Sequence, residues 1–431
     1  LLQIPPAPVP ADAPDDVFSA ERAFDIVAEI AQRPHRIGTV ENVRVRDELA
    51  ARFRAAGYEP VIQQDALVTG RRYAVPHNVY AMLPGTDPTG TIVVMAHYDS
   101  VPFGPGAADD ATGVAAVIEA ARAMRLGPAP RNNILFLCTD GEEKGLLGAR
   151  TLLAHHPERH NLRLALNFEA RGHYGPSMMF HTGPNNGRLI EGLIAAAPYP
   201  VASSFMFDVA SRMPTTTDYW ALKAAGVPGL DFAFVNGIQY YHTMNDRPAH
   251  LSLRSVQHHG SYALALARHF GEADLAGIDS QPDVVYFNTL GPHMVSYSTG
   301  WVGPLVLLAT LLYVVVLMVG FRRGEFALGG MLRGFLTFFA TALLVPVLLA
   351  GPLVWGFQRF GPYALYNQPY YEAAFVLLTL AVCLFAMGWA GRHSSPGSLL
   401  MGALVWGFAA LYALSWYMPL GSHLLAWQLI G

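Results

Sequence analysis

The chain beyond residue 300 is almost free of charge, and this feature divides the sequence into two parts suited to different solvents. It holds two of the 32 acidic and five of the 28 basic side chains of the 431-residue chain. Four uncharged apolar stretches follow one another there, and each is long enough to cross a bilayer as a helix at a rise of 1.5 Å per residue. The sequence therefore predicts a water-soluble, acidic first part followed by an all-α transmembrane domain.

The expected domain boundaries follow from this division. A proline-rich stretch near the start predicts an extended linker, and a second linker is expected before the first apolar helix. We expect a linker over 1–18, an α/β domain over 19–275, a second linker over 276–300, and a transmembrane domain over 301–431 with helices near 301–320, 335–357, 373–391 and 398–419.

Buried-strand patterns alternate with helical ones in the first part. Helical periodicity covers 19–32, 41–56 and 112–124, and short apolar, β-branched runs at 78–83, 92–96, 134–138 and 164–168 are typical of strands. This alternation predicts the α/β class, with a mainly parallel mixed sheet flanked by helices. Sites in such folds form beyond the carboxyl ends of the strands.

Imidazole and carboxylate side chains follow those strands. His97 ends one of them, and other candidates lie after strands or in adjoining loops: Asp109, Glu142, Glu143, Glu169 and His242. Two imidazoles with carboxylates suit zinc best, and five ligands exceed the needs of one tetrahedral catalytic ion with an open position. We therefore expect two zinc ions that share one carboxylate.

The adjacent pair Glu142-Glu143 predicts two different roles, because neighbouring side chains point in different directions. One glutamate is expected to bind metal, while the other reaches the attacking water as general base. Asp99, two residues after His97, is expected to orient that imidazole through its second ring nitrogen.

Five motifs together resemble the co-catalytic zinc aminopeptidase family, metallopeptidase family twenty-eight. They are His97-Tyr98-Asp99-Ser100, Asp109-Asp110-Ala111-Thr112-Gly113, Glu142-Glu143, Asn167-Phe168-Glu169 and Tyr241-His242-Thr243. The resemblance covers roughly residues 20–270. It implies the zinc-exopeptidase fold, a peptide substrate, and hydrolysis of peptide bonds, with aminopeptidase activity favoured.

The resemblance also implies a role for each motif residue. His97, Asp109 and Glu169 would bind one zinc ion, and Asp109, Glu143 and His242 the other, with Asp109 bridging. Glu142 would be the general base and Asp99 the partner of His97. Tyr241 would donate a hydrogen bond to the oxyanion of the tetrahedral intermediate.

One position departs from the soluble members of the family, which have Asp where this chain has Glu169. The membrane-anchored branch, which includes endoplasmic reticulum metallopeptidase and vacuolar membrane protease, has Glu there. This branch also resembles the chain at Asp283-Val284-Val285-Tyr286-Phe287, so we expect a membrane-anchored member.

Two more residues are candidates for substrate binding. Arg171 either binds a substrate carboxylate or pairs with a structural acid. Asp218 either lines the site or caps a helix. The histidine pairs His155-His156 and His258-His259 lie on helical patterns and are expected to be solvated.

The short loops between the predicted spans differ in charge. Those between the first and second and between the third and fourth hold Arg322, Arg323, Arg333 and Arg392, whereas the loop between the second and third holds only Arg359. The positive-inside rule places the former in the cytoplasm and the α/β domain on the periplasmic, extracellular or luminal side. Arginine-rich composition suggests a bacterial inner membrane.

These observations predict a membrane-anchored dinuclear zinc exopeptidase that contacts the lipid bilayer. A carboxypeptidase or other amide-cleaving zinc hydrolase is the competing enzyme, and an inactive binding module the competitor from another class. No basic patch interleaved with aromatic residues occurs, so nucleic acid is not an expected partner. The oligomeric state stays open.

Overall fold

The computed structural model describes residues 3–69, 72–212, 216–360 and 368–430. The chain divides into two compact units, Leu1–Tyr297 and Ser298–Gly431. We call them the α/β unit and the helical unit and describe each by itself.

The strands of the α/β unit include all four that the sequence predicts, each matched within two residues at either end. In the described residues they are β1 Val61–Gln64, β2 Leu67–Thr69, β3 Arg72–Ala74, β4 His77–Leu83, β5 Thr91–His97, β6 Asn133–Thr139, β7 Leu162–Ala170, β8 Met178–Thr182, β9 Gly229–Phe234, β10 Val284–Asn288 and β11 Met294–Ser298. Sequence patterns missed the central strand β9 as well as the short or edge strands.

One sheet organises the α/β unit. Within the described residues it has seven strands in the order β1-β4-β6-β5-β7-β9-β8. The central strands β6, β5, β7 and β9 run parallel, while β1, β4 and β8 pair antiparallel at the two sides. All seven residues of β5 are buried, as expected for a central strand covered on both faces. The mainly parallel mixed sheet predicted from the sequence is confirmed.

Helices cover both faces of this sheet. The described helices of the unit are α1 Ala20–Ile30, α2 Val40–Ala55, α3 Ala111–Arg125, α4 Leu147–His155, α5 Gly187–Ala196, α6 Ser204–Ala210, α7 Asp218–Ala224 and α8 Leu253–Glu272. On one face α3 packs against α1 and α8. On the other, Leu152 of α4 and Tyr219 of α7 join a core cluster with Val93 and Met95 of β5.

Three histidines that were expected on solvated helix faces are instead buried: His156, His258 and His259. His258 Nε2 donates to the carbonyl oxygen of Tyr199 (3.0 Å), and His259 Nδ1 lies 2.8 Å from the hydroxyl of Ser177. The prediction for His258 and His259 was wrong because α8 lies between the sheet and neighbouring helices, so more of its circumference is covered than one apolar stripe indicates. His156 lies just beyond α4, where its ring packs edge-on against Tyr80. His155 is exposed, as expected.

Both predicted linkers contact the α/β unit. The described part of 1–18 has no helix or strand, yet Val9 N–H donates to the side chain of Gln257 (2.9 Å). The second segment, 276–300, contains β10 and β11. Tyr286 in β10 is buried, and its N–H donates to Ser204 Oγ (3.2 Å). This strand is therefore part of the α/β core.

The helical unit consists largely of long apolar helices. The described ones are α9 Val302–Arg322, α10 Leu328–Phe360, α11 Gln368–Gly391, α12 Pro396–Tyr417 and α13 His423–Ile430. By length and composition, four helices in the described residues could cross a membrane. Helices α10 and α12 approach closely at Gly402, where a Cβ would lie 1.9 Å from the carbonyl oxygen of Met331. Small residues permit such contacts between apolar helices.

Candidate metal centre

The carboxyl ends of the four central strands bring the candidate residues to one edge of the sheet. His97 is the last residue of β5, and Glu169 lies one residue before the end of β7. Glu142 and Glu143 begin a short 3-10 helix, Glu142–Lys144, just beyond β6. His242 lies in the loop after β9. Residues far apart in the sequence therefore meet because parallel strands end together.

Asp109 lies at this edge because the next residue ties β5 to α3. One carboxylate oxygen of Asp110 accepts from Gly113 N–H (3.1 Å) and caps α3. The other oxygen accepts from the backbone N–H of His97 (3.3 Å). This N-cap holds the preceding Asp109 beside the end of β5.

The first cluster contains His97, Asp109 and Glu169. His97 Nε2 lies 3.1 Å from Asp109 Oδ1 and 3.5 Å from Glu169 Oε1. All three residues are buried, and their ligand atoms lie within 4.8 Å of one another. One cation between them would contact an imidazole nitrogen and two carboxylate oxygens.

The second cluster contains Asp109, Glu143 and His242. His242 Nε2 lies 3.0 Å from Asp109 Oδ2 and 3.1 Å from Glu143 Oε1. The backbone of His242 has a φ of 56°, a left-handed conformation that non-glycine residues seldom adopt. The two oxygens of Asp109 therefore face different histidines, one in each cluster.

The hydrogen bonding of His97 indicates that this site requires positive charge. Its Nδ1 donates to the carbonyl oxygen of Asp99 (2.9 Å), so in the neutral ring Nε2 carries a lone pair. That lone pair would face carboxylate oxygens. A proton or a metal ion must separate these acceptors, and the imidazole-carboxylate set is one that zinc prefers.

The pKa shifts agree with this charge requirement. Burial alone would lower the pKa of His242, but Asp109 and Glu143 raise it to about 10. Burial alone would raise the pKa of Asp109, but the two imidazoles hold it well below its usual value. The ligand atoms therefore fit a cation, and the combination of imidazole nitrogens with carboxylate oxygens fits zinc.

Asp99 orients the site differently from the sequence prediction. The backbone carbonyl of Asp99, rather than its carboxylate, accepts the bond from His97, and the carboxylate Oδ1 lies 3.5 Å from the ring. That Oδ1 accepts from the backbone N–H of Glu142 (2.9 Å). Asp99 thus links the His97 ring to the start of the Glu142–Lys144 helix.

Asp246 holds the loop before α3, which carries Asp109. Its carboxylate accepts from the N–H groups of Ala108 (2.7 Å) and Asp109 (3.3 Å). The buried His173 lies with Nε2 3.0 Å from the same carboxylate. His173 was missed, and a lone histidine four residues after Glu169 gives no pattern that would have found it.

An open cleft of about 320 Å³ adjoins both clusters. Its lining includes Asp109, Glu142, Glu143, Glu169, Arg171 and Tyr241. Burial raises the pKa of Glu142 well above its ordinary value. Tyr241 stacks on the ring of His242, with centroids 3.7 Å apart. The cleft is large enough for a small ligand beside the clusters.

Asp218 lies behind the cleft and does not cap a helix through its side chain. It is the first residue of α7, whose N-cap is Thr217. Thr139 Oγ1 donates to one of its carboxylate oxygens, and burial raises its pKa to about 7. The helix-cap interpretation is therefore wrong, and the acid lies close enough to raise the pKa of Glu142.

A family model described as "Peptidase family M28" matches residues 78–267, which contain every residue of both clusters. This segment is a peptidase family M28 domain. The match confirms the family that the sequence motifs resemble, and with it a metallopeptidase domain.

Two curated relatives belong to the membrane-anchored branch. Endoplasmic reticulum metallopeptidase 1 of Mus musculus is 30% identical over 245 residues, covering 54% of this chain and 27% of the relative. The vacuolar membrane protease of Yarrowia lipolytica is 28% identical over 364 residues, covering 74% of this chain and 36% of the relative. The chain thus spans about a quarter to a third of the length of these two relatives. Their names give no support for a bacterial inner membrane.

Among solved structures, a zinc aminopeptidase from Bacillus subtilis is similar to this chain. The TM-score is 0.48 at 15% sequence identity, and the match covers 62% of this chain and 98% of the aminopeptidase.

Proposed function

We propose that the protein is a membrane-anchored dinuclear zinc exopeptidase, most simply an aminopeptidase. The observation that carries this proposal is the pair of ligand clusters that share Asp109. Each carboxylate oxygen of Asp109 faces a different histidine, at 3.1 and 3.0 Å. Glu142 lies beside both clusters without being a member of either.

The residues around the clusters have separate roles in this proposal. Zinc, when bound there, supplies Lewis-acid activation of water and of the scissile carbonyl group. Glu142 accepts a proton from the attacking water and returns it to the leaving amine, and its raised pKa suits both steps. Asp99 fixes the backbone from which Glu142 reaches the cleft. Asp218 provides a buried acid behind Glu142.

Tyr241 is proposed to stabilise the oxyanion. Burial raises the pKa of its hydroxyl well above the ordinary value, so the group stays protonated at neutral pH. A protonated phenol donates a hydrogen bond to developing negative charge. The stacking of Tyr241 on His242 places that donor beside the second cluster.

Blocking the amino terminus of a peptide tests the aminopeptidase proposal. A peptide that the enzyme cleaves is compared with its Nα-acetylated form, and cleavage of the acetylated peptide is expected to be lost. The resemblance of the sequence motifs to the co-catalytic zinc aminopeptidase family is the reason for this expectation. Chromatography with mass spectrometry identifies which end shortens. Equal cleavage of both peptides, or products shortened from the carboxyl end, would favour the carboxypeptidase alternative.

We also propose that the α/β unit lies on the non-cytoplasmic side of the membrane. The arginine-bearing loops after α9 and after α11 are joined, since Ser395 Oγ donates to the carbonyl oxygen of Glu325 (3.2 Å). Arg333 likewise donates to the carbonyl oxygen of His393 (2.6 Å). Both loops therefore lie at one end of the helical unit, and the positive-inside rule assigns that end to the cytoplasm.

Thiol labelling tests this orientation. In a Cys383→Ala background, Leu290→Cys places a thiol at an exposed position between β10 and β11, and His393→Cys places one between α11 and α12. A membrane-impermeant maleimide is expected to label only Leu290→Cys in intact cells or vesicles of matching orientation, and both variants after detergent is added. The reverse pattern would place the metal centre in the cytoplasm.

A further inference from the structure

Arg171 is a cation at an otherwise acidic place. It directly follows β7, two residues after Glu169, and its backbone N–H donates to the carbonyl oxygen of Phe234 (3.1 Å). Its side chain is half-buried and lines the cleft beside both clusters. Burial raises the pKa of Glu169 above its ordinary value, and the positive charge of Arg171 opposes that rise.

The guanidinium of Arg171 has no acid partner in the part of the chain that the structure describes: no carboxylate oxygen lies within 4.0 Å of it. Several other half-buried arginines of the α/β unit do have one, as Arg22 pairs with Glu119 at 2.8 Å and Arg44 with Glu29 at 2.8 Å. The structural ion pair considered for Arg171 is therefore absent among the described residues.

The nearby carboxylates do not replace such a partner. Glu169 and Asp109 face the imidazole of His97, and zinc bound there would draw on their charge. An arginine beside a dication is repelled by it unless an anion lies between them. The aromatic ring of Tyr241 lies under the guanidinium, with 5.9 Å from Cζ to the ring centroid, and limits its orientation. The planar guanidinium group, with its N–H donors, is thus held at the cleft without an acid partner among the described residues.

We propose that Arg171 binds a carboxylate of the substrate next to the scissile bond. This inference rests on the proposed peptidase function and names its substrate class, peptides with a negative group at that position. The fork geometry suits a carboxylate, which accepts two parallel N–H bonds. Two sources carry this group: the terminal carboxylate of a dipeptide, and the side chain of an acidic residue in a longer peptide.

Binding measured without turnover tests the proposal. In a Glu142→Gln background, calorimetry compares alanyl-alanine with its carboxyl-terminal amide, and alanyl-glutamate amide with alanyl-glutamine amide. The further change Arg171→Gln is expected to weaken binding of the carboxylate member about 10- to 100-fold, since hydrogen bonds to charged groups are the stronger ones. The neutral member should bind unchanged. The pair that shows the effect identifies the source of the carboxylate.

Two further variants separate recognition from folding and net charge. Arg171→Lys keeps the charge but loses the fork, and an intermediate affinity is expected. Arg163→Gln removes an exposed arginine from the opposite end of β7 and should change neither pair. Three outcomes would overturn the proposal. Arg171→Gln could weaken binding of charged and neutral ligands equally, or could weaken neither. The Glu142→Gln parent could also fail to bind either carboxylate ligand.

Hydrolysis by the full-length enzyme distinguishes this inference from the proposed function. If neutral peptides are hydrolysed equally by wild type and Arg171→Gln, and charged peptides show no difference either, the peptidase proposal stands and the role of Arg171 fails. If no peptide is hydrolysed while the difference in binding persists, the role of Arg171 stands and the peptidase proposal fails.

Discussion

Replacing Glu142 with glutamine is expected to lower peptide hydrolysis about 10²–10⁴-fold, the usual contribution of a general acid-base group. Bound zinc should remain, because Glu142 belongs to neither ligand cluster. Glutamine keeps the size of the side chain, and the bond from the backbone N–H of Glu142 to Asp99 does not involve that side chain. Rate measurement beside metal analysis of the same preparation checks both expectations.

The neighbouring glutamate should behave in the opposite way. Glu143→Ala removes an oxygen that lies 3.1 Å from His242 Nε2, and zinc content is expected to fall by about half as the second cluster loses a ligand. Lys144→Gln, an exposed change in the same 3-10 helix, is the matched control and should leave metal and rate unchanged. More than about a tenth of wild-type activity in Glu142→Gln would contradict the assignment of the general base.

Replacing Asp231 with asparagine is expected to stabilise the protein at pH 8 by up to roughly 4 kcal/mol and to have little effect at pH 4. Burial raises the pKa of Asp231 from 3.8 to about 7. The carboxylate accepts from Asn167 Nδ2 (2.8 Å) and Thr217 Oγ1 (2.6 Å). An asparagine keeps the first bond and can donate to the Thr217 hydroxyl, so the change preserves the local contacts.

The sign of this effect follows from proton binding. Between about pH 4 and pH 7 the folded protein retains a proton on Asp231 that the unfolded chain has released, so wild-type stability falls as the pH rises through this range. Asparagine cannot ionise and removes this slope. Urea midpoints of the full chain in detergent, at several pH values, measure the difference. Asp279→Asn, at an exposed position, is the control; equal pH slopes for wild type and Asp231→Asn would refute the prediction.

Sequence patterns located much of the candidate centre because its residues lie at the ends of strands. His97 and Glu169 follow apolar runs that only central strands of a parallel sheet require. The strand alternation then implied a common edge, and the structure brings Asp109, Glu143 and His242 to it. The order of the strands along the chain and their apolar patterns were sufficient to predict that these residues meet. In a parallel sheet the topology brings the carboxyl ends of the strands to one edge.

The sequence pattern did not predict features that depend on loop geometry and side-chain orientation. Asp99 orients His97 through its backbone carbonyl, a choice that depends on loop dihedral angles. His258 and His259 are enclosed because several elements pack around α8, which periodicity in one helix does not reveal. Arg171 lacks an acid partner among the described residues, although several acids line the same cleft. The last two features depend on contacts between segments that are distant in the sequence.

The positions of the candidate ligands have a consequence for the folding equilibrium. The ligands come from separate parts of the chain, among them β5, the loop before α3, β7 and the loop after β9. An ion in either cluster would join chain segments that are far apart in the sequence, much as a removable cross-link does. The unfolded chain offers no comparable site, so binding free energy adds to the free energy of unfolding. The supply of metal in the compartment would then determine how long the α/β unit persists as well as how fast it works.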